Sequence, residues 1–178
     1  GRYEHDLRVG IPGKFNVDNA LAAAGVCSFF DLPKEKVCHA LEHIQVDGRM
    51  EIVYKSAKCT VIVDYAHNAV SMESLLLTLR DYKPKRLVCV FGCGGNLADL
   101  SIITADNSRF EKVEDILADI KVGLAKTDGK YVEIPDRREA IEYSLSHAED
   151  GDIIAIIGKG HEDYQEIKGK KYPMDERV

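Results

Sequence analysis

A chain of 178 residues, 45% hydrophobic and 30% charged, has the composition of an ordinary soluble globular protein, long enough for one good core or for one domain and a piece of another. Its net charge of −6 excludes a non-specific nucleic-acid binder, which runs on a surplus of Lys and Arg, but leaves room for a local basic pocket holding one phosphorylated metabolite. No stretch approaches the length of a membrane span, and residues 1–6 lack the apolar core of a signal peptide. The five cysteines are odd in number and complete no zinc set, which points to reduced, mostly buried thiols in a cytosolic protein.

The first fifty residues read as helical. Asp18 is expected as an N-cap, and 20–30, rich in Ala and Leu, as a helix buried on most sides. Pro33 suits the first turn of a second helix over 34–43, with Val37, Ala40 and Leu41 on one face. Neither helix has partners within this segment to cover it, so both are expected to belong to a larger domain.

From Met50 onward strands and helices alternate. Apolar runs at 61–63, 87–91, 100–103 and 153–157 read as buried strands, with 131–134 a weaker candidate. Helical patterns fall at 71–81, 110–124 and 137–148. This is the rhythm of an α/β fold: a mostly parallel sheet with helices on both faces. Residues 164–172, with Lys168-Gly169-Lys170 in the middle, read as a hairpin. The strands at 87–91 and 100–103 break the rhythm, since parallel neighbours usually need a crossover of about a dozen residues. Either the two form an antiparallel hairpin or a segment is missing between 96 and 97, and the second reading is preferred.

Four polar sets follow strand ends. Gly92-Cys93-Gly94-Gly95 would let a backbone approach a ligand, yet it matches neither the dinucleotide fingerprint nor the phosphate loop, and a tight turn explains it as well. Asp64 and His67 could hold a ribose, a metal or a proton, or serve as a capping residue and a solvated helix-start residue. Asp106-Asn107-Ser108-Arg109 offers an amide and a guanidinium to a carboxylate, or is a turn with a helix cap. Gly158-Lys159-Gly160-His161-Glu162-Asp163-Tyr164-Gln165 is too dense in chemistry for a merely structural loop. All four fall where open α/β sheets bind ligands, which supports a small-molecule site.

These sets, together with Gly13-Lys14-Phe15-Asn16-Val17-Asp18-Asn19 and Gly48-Arg49-Met50-Glu51, resemble the Mur ligases in order and approximate spacing over nearly the whole chain. The Gly158-Lys159-Gly160-His161-Glu162-Asp163-Tyr164-Gln165 motif is most similar to that of the members adding the third amino acid to UDP-MurNAc-L-Ala-D-Glu. The resemblance implies that 1–48 is the end of a central ATP-binding domain and 49–178 most of a Rossmann-like C-terminal domain that brings in the amino acid. It implies acyl-phosphate chemistry with ATP and Mg²⁺ in peptidoglycan precursor synthesis, in the cytoplasm, by a monomer acting on small molecules, without nucleic acid or membrane.

Carried over by motif, Asn16, Asn19, Arg49, Asp64 and His67 would bind ATP, and Asp106, Asn107, Arg109, Gly158 and Glu162 the incoming amino acid. An Arg at 109 is the form associated with meso-diaminopimelate, whose distal carboxylate lysine lacks. Three departures stand out. Ser108 replaces the family's Pro, and a segment rich in Arg, Asp, Lys and Pro is absent after Gly95-Asn96. The P-loop, the Mg²⁺ ligands and the modified lysine would precede Gly1, so no catalytic residue is placed here and the fragment alone is expected to be inactive. Competing readings are a related ligase adding L-lysine or D-Ala-D-Ala, a folylpolyglutamate synthase, and a stand-alone amino-acid-binding domain without catalysis.

Overall fold

The computed structural model describes residues 7–92 and 97–177. Most of the Gly92-Cys93-Gly94-Gly95 set therefore lies outside the described residues. The chain divides into two compact units, Gly1–Val46 and Asp47–Val178.

The first unit holds α1 (Lys14–Phe29) and α2 (Lys34–Glu42). α1 begins four residues before the expected N-cap: Gly13 occupies that position with no side-chain cap, and Asp18 lies inside the helix. The helix thus starts upstream of Asp18 without needing its carboxylate. At the other end Asp31 takes a left-handed φ of 50°, while the amides of Asp31 and Leu32 donate to Ser28 O at 3.2 Å and Cys27 O at 3.1 Å. This is the Schellman arrangement, which satisfies carbonyls that the helix leaves over. Within this chain α1 lacks covering partners, as its sequence leads one to expect. Ala20 is its one buried residue, and Phe29 is 82% exposed, because two short helices cannot cover each other's apolar faces.

The second unit runs β1 (Glu51–Lys55), β2 (Cys59–Asp64), α3 (Ala69–Asp81), β3 (Arg86–Phe91), β4 (Leu100–Ile103), α4 (Val113–Leu124), β5 (Lys130–Glu133), α5 (Arg137–Ser146), β6 (Asp152–Ile157), β7 (Tyr164–Ile167) and β8 (Lys170–Pro173). Six strands form one sheet in the order β1-β2-β6-β3-β4-β5, with β1 antiparallel and the other pairings parallel, and β7-β8 form the expected hairpin. β6, last of the six in sequence, lies between β2 and β3. Such a central strand is covered on both faces, which is why Asp-Ile-Ile-Ala-Ile-Ile reads as one apolar run rather than an alternation. Val61, Val63, Val88, Val90, Ile102, Ile154 and Ile156 pack with Ala140 of α5 into one buried cluster. α3 opens with a capping box, Ser71 N donating to Asn68 Oδ1 at 2.9 Å and Asn68 N to Ser71 Oγ at 3.3 Å. Among the described residues the cysteines are free thiols, and Cys59 and Cys89 are in the core.

β3 and β4 pair in parallel, Val88 opposite Leu100 through Phe91 opposite Ile103, so the antiparallel alternative is excluded. Residues 92–99 connect them.

Candidate functional site

The C-terminal ends of β2, β4 and β6 deliver three of the polar sets to one edge of the sheet. There Tyr65, His67, Asp106, Asn107, Arg109, Gly158 and Glu162 are among the residues lining a cavity of about 520 Å³. All five residues singled out for an amino-acid ligand thus border one space. The parallel register that aligns these ends makes this possible, although 106–109 and 158–162 lie some fifty residues apart.

The polar contacts within the site are directional. Asn107 Nδ2 donates to Glu162 Oε2 at 2.7 Å, while Asn107 Oδ1 accepts from Glu166 N at 2.8 Å and from Lys159 Nζ at 3.5 Å. With donors on its oxygen side and a carboxylate on its nitrogen side, the orientation of this amide follows from its neighbours. Arg109 takes a left-handed φ of 51°. The hairpin clamps it there: Arg109 N donates to Glu166 O at 3.1 Å, and Lys168 N donates to Arg109 O. Its backbone is thereby held while its exposed side chain borders the cavity. Ser108 beside it is buried.

Gly158 follows β6 with φ 123°, a conformation that L side chains rarely adopt, and a Cβ there would stand 2.3 Å from Asp106 Oδ2. Gly48 makes a second close approach at φ 65°, where a Cβ would lie 2.1 Å from His161 N. That contact seats Arg49 near the same edge, its guanidinium 4.8 Å from the centre of the Tyr65 ring. The Tyr65 ring in turn lies 4.9 Å from His67 and 5.5 Å from His161.

The residues singled out for a nucleotide fall into both units. In the first unit Asn16 Nδ2 donates to Pro12 O at 2.7 Å and Asn19 Nδ2 to Asn16 Oδ1 at 3.4 Å. In the second, Arg49 and His67 are exposed, but Asp64 is buried and committed: Oδ2 accepts from Met50 N and Oδ1 from Ala66 N, both at 2.8 Å. Burial is the largest influence on Asp64 and raises its pKa above the usual carboxylate value, against the lowering effect of those two amides and Arg49. The folded chain therefore takes up this proton at a higher pH than the unfolded chain, and the ionised group costs stability as the pH rises through the folded pKa. On acidification from neutral pH, wild type should accordingly gain stability relative to Asp64→Asn. Paired urea titrations check this, and a difference moving the other way would refute it.

Sequence reasoning missed three buried groups. Lys159 was read as a loop cation, yet it is fully buried, with Nζ donating to Tyr164 O and 3.6 Å from Glu162 Oε2. Arg137 and Glu176 form a buried ion pair from Arg137 Nε to Glu176 Oε1. Nothing local marks these residues, since charge alone reads as surface. Among the described residues no cluster of three or more His, Cys, Asp or Glu is placed to hold a metal.

The sequence pattern of the family described as Mur ligase, glutamate ligase domain, matches residues 48–160, more than half of the chain. The chain belongs to the Mur ligase family. It is 41% identical over 189 aligned residues to a UDP-N-acetylmuramoyl-L-alanyl-D-glutamate–2,6-diaminopimelate ligase of Caldanaerobacter subterraneus subsp. tengcongensis, covering 98% of this chain and 39% of that protein. The enzyme of the same name from Aquifex aeolicus is 39% identical over 188 residues, covering 97% and 39% respectively. A solved structure of such a diaminopimelate ligase superposes with a TM-score of 0.68 at 34% identity, over 95% of this chain and 38% of that one. The Mycobacterium tuberculosis folylpolyglutamate synthase complexed with ADP superposes at 0.70 but is 23% identical over 86% of this chain and 39% of its own, a likeness of fold alone. The Mur ligase chain described here thus spans about two fifths of the length of these relatives.

Proposed function

We propose that this chain is the amino-acid-binding part of an ATP-dependent cytoplasmic ligase that joins meso-diaminopimelate to UDP-MurNAc-L-Ala-D-Glu, with residues 1–48 the end of its ATP-binding domain. The supporting observation is the convergence of Asn107, Arg109, Gly158 and Glu162 on one cavity. Arg109 offers a guanidinium to a ligand carboxylate, and Glu162 a carboxylate to an ammonium, so an amino acid with charged groups of both signs fits this wall. In the proposed reaction the γ-phosphoryl group of ATP passes to the D-Glu carboxylate. The neutral amine's lone pair then attacks the acyl carbon, a C–N bond forms, and phosphate leaves with the C–O electrons while the nitrogen gives up one proton and keeps the other as the amide N–H. This chain's part is to hold the amine donor in position, which removes much of the entropic cost of the attack. Mg²⁺ would neutralise phosphate charge, and no step is assigned to a metal held by the described residues.

We further propose that the full protein carries additional residues between 96 and 97. The 189 aligned positions exceed the 178 residues of the chain, so that relative has positions without a counterpart here.

Thermal denaturation with meso-diaminopimelate, L-lysine or D-Ala-D-Ala in large excess tests the reading. A ligand at about a hundred times its Kd stabilises the native state by about 2.7 kcal/mol. meso-Diaminopimelate should raise the transition, and Arg109→Ala should cut the rise to about half or less by weakening affinity about tenfold or more, as expected for a lost charge-assisted carboxylate contact. A rise with L-lysine instead would overturn the choice of substrate. Silence with all three would overturn the claim that this chain holds the amino acid by itself.

A further inference from the structure

We infer that Lys159 is a positioning residue of the amino-acid site, whose buried ammonium orients the Asn107 amide and the Glu162 carboxylate toward the ligand; this rests on the amino-acid reading of the cavity. Lys159 belongs to the loop after β6 and is 0% exposed, a placement that a lysine keeps only with partners. Its Nζ donates to Tyr164 O, lies 3.5 Å from Asn107 Oδ1 and 3.6 Å from Glu162 Oε2, and sits 5.3 Å from the centre of the Tyr164 ring. Asn107 Nδ2 closes the triangle by donating to the same Glu162 Oε2 at 2.7 Å.

The cation therefore touches both ends of the Asn107–Glu162 pair. On Asn107 it reinforces Glu166 N on the oxygen side, so a flipped amide would turn its NH₂ toward two donors. On Glu162 it joins the Asn107 amide at Oε2, so that the shared interactions converge on one oxygen while the side chain borders the cavity.

Charge and geometry make opposite predictions here. A cation 3.6 Å from Glu162 competes with a ligand ammonium, so if Lys159 acted by charge alone, its removal would tighten binding of a cationic ligand. If Lys159 holds the carboxylate and amide in place, its removal weakens binding.

The experiment compares the wild-type chain with Lys159→Met, which keeps the buried stem, by two readouts. The first is calorimetric affinity for meso-diaminopimelate and L-lysine. The second is the side-chain amide NMR signal of Asn107 without ligand, assigned by its loss in Asn107→Asp. We expect Lys159→Met to remain folded by circular dichroism, to shift the Asn107 amide pair toward the solvent-exposed position, and to bind about tenfold or more weakly. An unmoved Asn107 signal, or affinity equal to or tighter than wild type, would overturn the proposal. If Lys159→Met does not fold, Lys159→Leu, which likewise removes the donor, takes its place under the same criteria. If the Asn107 signal moves but wild type binds neither amino acid, the arrangement of the triangle stands and the substrate reading falls.

Discussion

Arg137→Met should destabilise the second unit by about 3–5 kcal/mol, the cost of breaking a buried ion pair from one side. For a chain of this size that is a fall in melting temperature of about 10 °C. Arg137 is the first residue of α5 and 1% exposed. Its Nε donates to Glu176 Oε1, Nη2 to Ile157 O at 2.8 Å and Nη1 to Ala105 O at 3.3 Å. Those two carbonyls end the segments that lead into Gly158 and Asp106, so one planar guanidinium ties together the backbones from which both ligand loops depart. A lysine has no such fork and could not reach all three acceptors. Met would leave the Glu176 carboxylate buried without its counter-charge and two carbonyls without their donor. Glu176 Oε2 already has no hydrogen-bond partner among the described residues. Replacing both partners, Arg137→Met with Glu176→Leu, should therefore restore part of the loss by removing the orphaned charge, and not all of it, since the carbonyls stay unpaired. Chemical denaturation of the two single variants and the double variant forms the cycle. A single variant within about 1 kcal/mol of wild type would show that the pair contributes no more than a surface contact does.

Gly158→Ala should strike stability and ligand binding together. The backbone at φ 123° is strained for any L side chain, a cost of about 1–3 kcal/mol. The new methyl would also stand 2.3 Å from Asp106 Oδ2 and 3.4 Å from its Cγ, distances at which the carboxylate must move. Asp106 cannot move without consequence, because its Oδ1 accepts from Asn107 N at 2.8 Å and its carbonyl from Gln165 Nε2 at 3.2 Å. Displacing Asp106 thus displaces Asn107 and, through it, Glu162. Affinity for the amino acid should fall about tenfold or more in addition to the lost stability. Gly123→Ala provides the contrast: it lies in α4 with no atom within 4 Å of the added methyl, and should be neutral or slightly stabilising. Calorimetric melting and ligand titration of both variants decide the matter, and wild-type behaviour of Gly158→Ala in either would refute the steric account.

Much of the fold was legible in local pattern. Buried strands declare themselves as short apolar runs, as 87–91 and 153–157 did, and helices as runs with polar punctuation, because side-chain periodicity follows directly from backbone geometry. β1 escaped notice although Glu-Ile-Val-Tyr-Lys is rich in strand formers. It is a short edge strand bounded by Glu51 and Lys55, with Ile52 and Tyr54 exposed.

The sequence by itself thus determined the elements and the fact that the polar sets follow strand ends, since both depend on residues adjacent in the chain. Which strand pairs with which was decided by tertiary structure: β6 enters between β2 and β3 because that position buries both of its faces, a preference no local window contains. The same holds for the site's charged groups. Asp64 reads as a ligand-facing group and Lys159 as a loop cation from their positions, but folding brings Met50 N and Ala66 N to the first and Tyr164 O, Asn107 and Glu162 to the second. Arg137 and Glu176 are 39 residues apart and meet only in the folded chain. A charge goes inside only where such partners converge, and their convergence is a property of the whole fold.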